Sequence, residues 1–432
     1  MTQIESDRPR RSLAHDPNFR RLWAGDAFGQ FAAQVSGFLI PVLAVSRLEA
    51  TPFQMGALSS AQTAAVLAIG LPAGAWIDRM RKRPTLVVAD VVRAVLLFVV
   101  VSTAATGHAS IGLLLVIGAA LSCASVFFDV AHQSYVPALV GLDRVSEGNA
   151  KLQALQSAAV VAAPSLGGLL VPLVGLPVAL GLTTVSYLVS ATLVSRIVHV
   201  EQLPSVEARR PLRQEIAEGL RFVITHPLLA RIVACTSIGN FFGAMASTLT
   251  VIYALRSLTI SEASLGVLFA VSGVGGLLGA GVAARVIKRL GEGRTIVVAA
   301  IVAVPALALM PLAQPLVEVG VPPALVVGAS FLVMSFSGVV YNVAQVSMRQ
   351  QVCPPDLLGR MNASVRFMVW GVLPLGALVG GGLGGMIGLA PTLWIGVAGT
   401  AAAVVPVLLS PLRSGPRVTA PSDAVVGGPE GL

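Results

Sequence analysis

RMRKRPTLVVADVVRAVLLFVVVSTAATGH, residues 79–108, sets a basic block, Arg79 to Arg83, against an apolar run from Thr85 to Thr106. A helix rising 1.5 Å per residue needs about twenty mostly apolar residues to cross roughly 30 Å of hydrocarbon. The run therefore reads as a membrane span with a cationic anchor at one end. Outward from it the pattern recurs, and spans are predicted at 22–46, 53–76, 85–106, 110–138, 151–174 and 177–198. A second set follows at 228–254, 264–287, 295–314, 321–345, 362–387 and 391–410. The 432 residues are 55% AVILMFWYC and 11% charged, with mean hydropathy +0.84. Soluble domains carry about 25% charged residues, so a water-soluble globule is excluded.

The net charge of +9 raises nucleic-acid binding, which the placement of the cations answers. Of 29 Lys and Arg, Arg47 and Arg256 fall in the alternate loops, Arg93 lies within the third span, and the remaining 26 sit in, or at the edge of, one set of tails and loops. That is the positive-inside distribution; a DNA-binding patch would not alternate so. It predicts cytoplasmic termini and an all-α integral membrane fold of twelve transmembrane helices in two six-helix bundles. The expected segments are a tail at 1–21, a bundle at 22–198, a linker at 199–227, a second bundle at 228–410 and a disordered tail at 411–432. The polar first residues predict that helix 1 is retained rather than cleaved. In the linker, Leu212, Ile216, Leu220 and Val223 share one helical face, as in a helix lying on the membrane surface. Cys123, Cys235 and Cys353 lack metal-ligand spacing, so no metal site or cofactor is expected.

The halves repeat. Asn149-Ala150 precedes Gly167-Gly168 by the same interval at which Asn362-Ala363 precedes Gly380-Gly381, and 175-GLP-177 corresponds to 388-GLA-390. Likewise 70-GLPAGAWIDRMRKR-83 parallels 276-GLLGAGVAARVIKR-289. A duplicated six-helix unit is the hallmark of secondary transporters.

The stretch 74-GAWIDRMRKR-83 resembles the G-x-x-x-D-R-x-G-R-K signature of the major facilitator superfamily, with Arg81 in place of a glycine. The segments 18-NFRRLW-23, 137-PALVGLDRVSEGNAKLQA-154, 219-GLRFVITHP-227 and 353-CPPDLLGRMNAS-364 are similar to its bacterial efflux branch of drug, macrolide and siderophore exporters. Helix 5 carries 163-APSLGG-168, similar to the antiporter motif G-P-x-x-G-G, with Ala163 for the first glycine and Pro164, Gly167 and Gly168 in register. The resemblance implies the major facilitator fold, a bacterial inner-membrane location, and a gating motif of Gly74, Asp78, Arg79, Lys82 and Arg83. It sets Asp78 near the N-terminus of helix 11, where the helix dipole favours an anion. The small residues Gly167, Gly168, Gly380, Gly381 and Gly382 serve either close packing or the sliding of helices during transport.

An ionised group at a span's centre costs about 2.5–3.5 kcal/mol on insertion scales and needs a partner, water or a proton. Asp26, Gln30 and Gln34 form an i, i+4, i+8 stripe on helix 1. Asp129, His132 and Gln133 cluster on helix 4, with Asp129 roughly 13 Å from the inner end by helical rise. Asn240, Asn342 and Gln345 are the second-half counterparts, and together these residues are expected to line a substrate and proton cavity. Asp90 and Arg93 stand at i, i+3, where they can pair along the helix. Either Asp129 or Asp26 carries protons, since apolar surroundings raise a carboxylate's pKa, or Asp129 latches to Arg79 or Arg83.

The expected function is proton-coupled export of hydrophobic small molecules by a monomer, with the proton gradient as driving force and membrane lipid as surroundings. A small-solute importer is the alternative, disfavoured on finding only Arg93 as a cation within the spans; a receptor or scaffold is a third. No enzyme constellation of paired aspartates, Ser/His dyad or metal spacing occurs inside the spans.

Overall fold

A computed structural model of the chain describes residues 12–141, 144–199, 201, 212–354 and 357–410. The fold is all helical in these residues. The first half contains α1 (Pro17–Ser46), α2 (Pro52–Asp78), α3 (Lys82–Ala105), α4 (Ile111–Val140), α5 (Val145–Val174) and α6 (Leu176–Ser195). A short helix, α7 (Leu212–Thr225), links it to the second half. That half contains α8 (Pro227–Ile252), α9 (Glu262–Leu290), α10 (Glu292–Glu318), α11 (Pro323–Val352), α12 (Leu358–Trp370), α13 (Leu373–Ile387) and α14 (Leu389–Leu408). Among the described residues eleven helices are long and apolar enough to cross a membrane, α12 and α13 counting as one. The chain is a multi-pass membrane protein.

Its helices are inside-out relative to a soluble bundle. On α3, Val88, Val95 and Phe98 are exposed while Asp90 and Arg93 are buried. Valines outside and charges inside suit a protein whose solvent is hydrocarbon. Arg93 pairs with Asp90 one turn back, and Asp90 also accepts from the Ser190 hydroxyl on α6 at 2.6 Å. The Arg93 guanidinium lies between the rings of Phe128 and Tyr187, 4.2 and 4.6 Å from their centroids. This network ties α3, α4 and α6 together. Gly25 and Gly29 let α1 approach Ser190 from the other side.

The repeat reappears in the turns. Gly175, at φ +81°, joins α5 directly to α6, and Gly388, at φ +92°, joins α13 to α14. Both adopt the left-handed backbone that glycine alone takes without strain, which accounts for the matched Gly-Leu pairs at 175–176 and 388–389.

The helical segment begins earlier than expected at the amino end. Asp16 caps α1 by accepting from the amides of Asn18 and Phe19, and Leu13 is buried. Glu147 of α5 pins this segment, accepting from the Ser12 hydroxyl and the Leu13 amide at 2.9 and 2.8 Å. The helix predicted in the linker is α7, and its buried face rests on protein: Val223 packs with Met361 and Val365 of α12. Gly219 crosses α12 so closely that a Cβ there would lie 2.6 Å from the Arg360 carbonyl oxygen, and Glu218 pairs with Arg360 at 2.6 Å. The side chains of Leu212 and Ile216 and the tail at 411–432 lie outside the described residues.

Candidate functional site

A cavity of about 1150 Å³ separates the two halves. It is lined by the first halves of α1, α5, α8, α10 and the α12–α13 span and the later turns of α4, α11 and α14. Because successive helices alternate in direction, these all lie toward one end of the molecule, where the linker and the start of α1 also are. The cavity opens at this linker end.

The far end is closed by two backbone crossings between the halves. A Cβ on Gly168 of α5 would meet the Gly266 Cα of α9 at 2.7 Å, and one on Gly381 of α13 would meet the Gly56 Cα of α2 at 2.6 Å. Gly168 and Gly381 are equivalent positions of the sequence repeat. Arg256, in the π-turn that continues α8, adds a third tie by donating to the Val45 carbonyl near the end of α1 at 3.3 Å.

Of the residues expected in the cavity, Asp26, Gln30, Asp129, His132, Gln133, Asn240, Asn342 and Gln345 line it and Gln34 does not. One turn beyond Gln34 the halves have already converged, with the rings of Phe38 on α1 and Phe269 on α9 only 5.5 Å apart. His132 Nε2 lies 3.8 Å from Asp26 Oδ1 and has no hydrogen-bond partner among the described residues, while Gln30 reaches the same carboxylate at 3.5 Å. Asp129 is open to the cavity. On the opposite wall Gln345 donates to Asn342 at 2.9 Å. Asn240 donates to the Val369 carbonyl at 2.8 Å and Ser237 to the Met368 carbonyl at 3.2 Å. Those carbonyls are released where the helix breaks between α12 and α13, ahead of Pro374, so α8 supplies the donors that the interrupted helix lacks.

The proposed gating residues behave differently from the latch expectation. Gly74 and Asp78 lie near the end of α2, and their side chains are outside the described residues. Arg79 closes α2 as its C-cap. Arg83 donates to the Ser195 carbonyl on α6, not to Asp129. The amides of Lys82 and Arg83, which open α3, are accepted by the Glu201 carboxylate from the linker at 2.5 and 2.7 Å. In the helix 5 motif, the Pro164 carbonyl and Gly168 face α9, whereas Gly167 faces α1. Of the second-half glycines, Gly380 meets Met245, Gly381 meets Gly56, and Gly382 meets nothing within 4 Å.

Sequence reading missed several lining residues. Asn149, Gln153 and Gln156 form a polar face on α5, legible as an i, i+4, i+7 stripe, and Asn362 is the repeat mate of Asn149. Arg349 and Arg366, grouped by sequence with the cytoplasmic cations, line the cavity. Arg366 stacks over the Trp370 ring at 5.2 Å. The argument that only Arg93 stands within the spans is therefore corrected: Arg93 is paired with Asp90, and two other arginines face the ligand space.

Residues 22–373 match the sequence profile of the Major Facilitator Superfamily. The chain belongs to that family. Among curated proteins no relative matches it. This superfamily member is similar in fold to a bacterial homologue of the iron transporter ferroportin in its inward-facing state, with TM-score 0.72 and 16% identity over 92% of this chain and 99% of that one. It is also similar to the nucleoside transporter NupG, with TM-score 0.72 and 10% identity over 90% and 98%. A bacterial homologue of the human lysosomal transporter Spinster, inward-facing and unoccupied, aligns with TM-score 0.67 and 13% identity over 92% and 97%. By family and fold the protein is a transporter of small molecules.

Proposed function

We propose that this superfamily member is a twelve-span secondary transporter of the bacterial inner membrane that exports amphipathic small molecules in exchange for protons. Counting α2, a 27-residue helix, with the eleven apolar spans makes twelve, an even number that returns both termini to one side. The cation distribution assigns that side to the cytoplasm. The linker-end opening is then the cytoplasmic mouth, and the structure corresponds to the inward-open state of a two-bundle rocking cycle.

The observation that carries proton coupling is the pairing arithmetic of the first half. Arg93 is held by Asp90 and reaches Asp26 and Asp129 only through space, so among the described residues neither of these cavity carboxylates makes an ion pair with a lysine or arginine of its own bundle. His132 bridges toward Asp26 from α4. A carboxylate left so in a low-dielectric wall is neutralised by a proton or by a cationic ligand. Competition between the two is the physical basis of antiport, since a proton entering from outside displaces the ligand. Arg349 and Arg366 favour a second reading, import of a small organic anion. A pH gradient imposed across proteoliposomes separates them: antiport drives ligand against the proton flow and import drives it along.

A further inference from the structure

The cavity's charges are divided between its walls. Asp26, Asp129 and His132 all belong to the first half, and Arg349 and Arg366 both belong to the second. Among the described residues neither arginine makes an ion pair, and the buried Nε of Arg349 has no hydrogen-bond partner. Arginines placed only to set topology would sit in loops or at the lipid headgroups; these two face the ligand space. Arg366 acts electrostatically on Asp129 across it, second among the cations to Arg93 of the same wall as Asp129. Guanidinium stays charged under all physiological conditions and grips carboxylates through paired donors.

Resting on the transporter reading above, we propose that the ligand is amphoteric, carrying a basic amine and an acidic group separated by an aromatic or aliphatic body. The amine lies against Asp26 and Asp129, the acidic group against Arg349 and Arg366, and the ring of Trp370 receives the body. Such a ligand spans both bundles and supplies charge of the right sign to each wall. A purely cationic ligand would leave the arginines without a counter-charge, and a purely anionic one would face two carboxylates.

The test is equilibrium binding to the purified full-length protein, with no pH gradient, using three fluorescent probes on one scaffold. They are a piperazinyl-quinolone carboxylic acid, its ethyl ester, which keeps the amine alone, and its N-acetyl derivative, which keeps the acid alone. The parent is expected to bind about tenfold more tightly than either derivative, the worth of one charge-assisted contact. Arg366→Gln and, separately, Arg349→Gln should each weaken the parent severalfold and leave the ester unchanged; either variant suffices should the other fail to fold. Asp129→Asn should weaken the parent and ester but not the N-acetyl compound. Equal binding of parent and ester, an arginine variant that weakens both alike, or binding of none of the three by folded protein overturns the proposal. Gradient-driven flux of the ester in proteoliposomes would meanwhile leave the antiport reading standing.

Discussion

Gly168 of α5 approaches Gly266 of α9 so closely that a Cβ on the former would lie 2.7 Å from the latter's Cα. The same contact recurs through the repeat at Gly381 and Gly56. No side chain separates the bundles at these two points, so the far-end closure depends on the absence of Cβ atoms.

Enlarging Gly168 therefore attacks one state of the cycle. Overpacking costs about 1–3 kcal/mol, enough to depopulate the far-end-closed state roughly tenfold. Gly168→Val and Gly381→Val should each lower transport by at least that factor at normal expression. A cysteine placed at Leu265, which is fully buried at the crossing, should become reactive to an impermeant maleimide in both variants. Gly382→Ala, which meets no neighbour, should change neither readout.

The buried pair on α3 makes a stability prediction. Arg93→Met leaves the Asp90 carboxylate buried without its cation, a loss of about 3–5 kcal/mol when one partner of such a pair is removed. Asp90→Leu combined with Arg93→Met removes both charges and should recover most of the loss. Thermal unfolding in detergent checks the order: the single variant lowest, the double variant closer to the parent protein. A double variant as unstable as the single one would mean that the pair organises α3, α4 and α6 beyond its own charge balance.

Glu201 caps α3 from outside the helix, because Arg81 at the N-cap position provides no side-chain acceptor. Glu201→Ala should cost about 1 kcal/mol, as for other lost caps, and accelerate hydrogen exchange at the amides of Lys82 and Arg83. Unchanged exchange at both amides would rule out the capping role.

Much of the fold was legible in the sequence, for reasons visible in particular residues. Hydrocarbon length and the basic block at 79–83 pointed to the long helices, eleven of which are apolar enough to span a membrane among the described residues, and the paired Gly-Leu turns carried the repeat because left-handed backbone demands glycine at 175 and 388. The cavity was half legible. Asp26 and Asp129 stood out as charges in apolar runs. Arg349 and Arg366 did not, since a cation near a span's cytoplasmic end looks alike whether it meets lipid or turns inward. Gln34 was misassigned because helical periodicity gives the face of a residue but not the depth at which the bundles converge. The break between α12 and α13 and its repair by Asn240 and Ser237 depend on contacts between distant helices, which spacing along one chain does not encode.

The central claim is that protons and ligand compete at Asp26 and Asp129. Proteoliposomes carrying the protein, given a pH gradient and the amphoteric quinolone probe, test it with Asp26→Asn and Asp129→Asn measured separately beside the unaltered protein. The account predicts probe movement against the proton flow, abolished by uncoupler, with at least one of the two variants losing gradient-driven movement about tenfold yet keeping downhill exchange. Flux that ignores the uncoupler, or gradient-driven movement that survives in both variants, would contradict it.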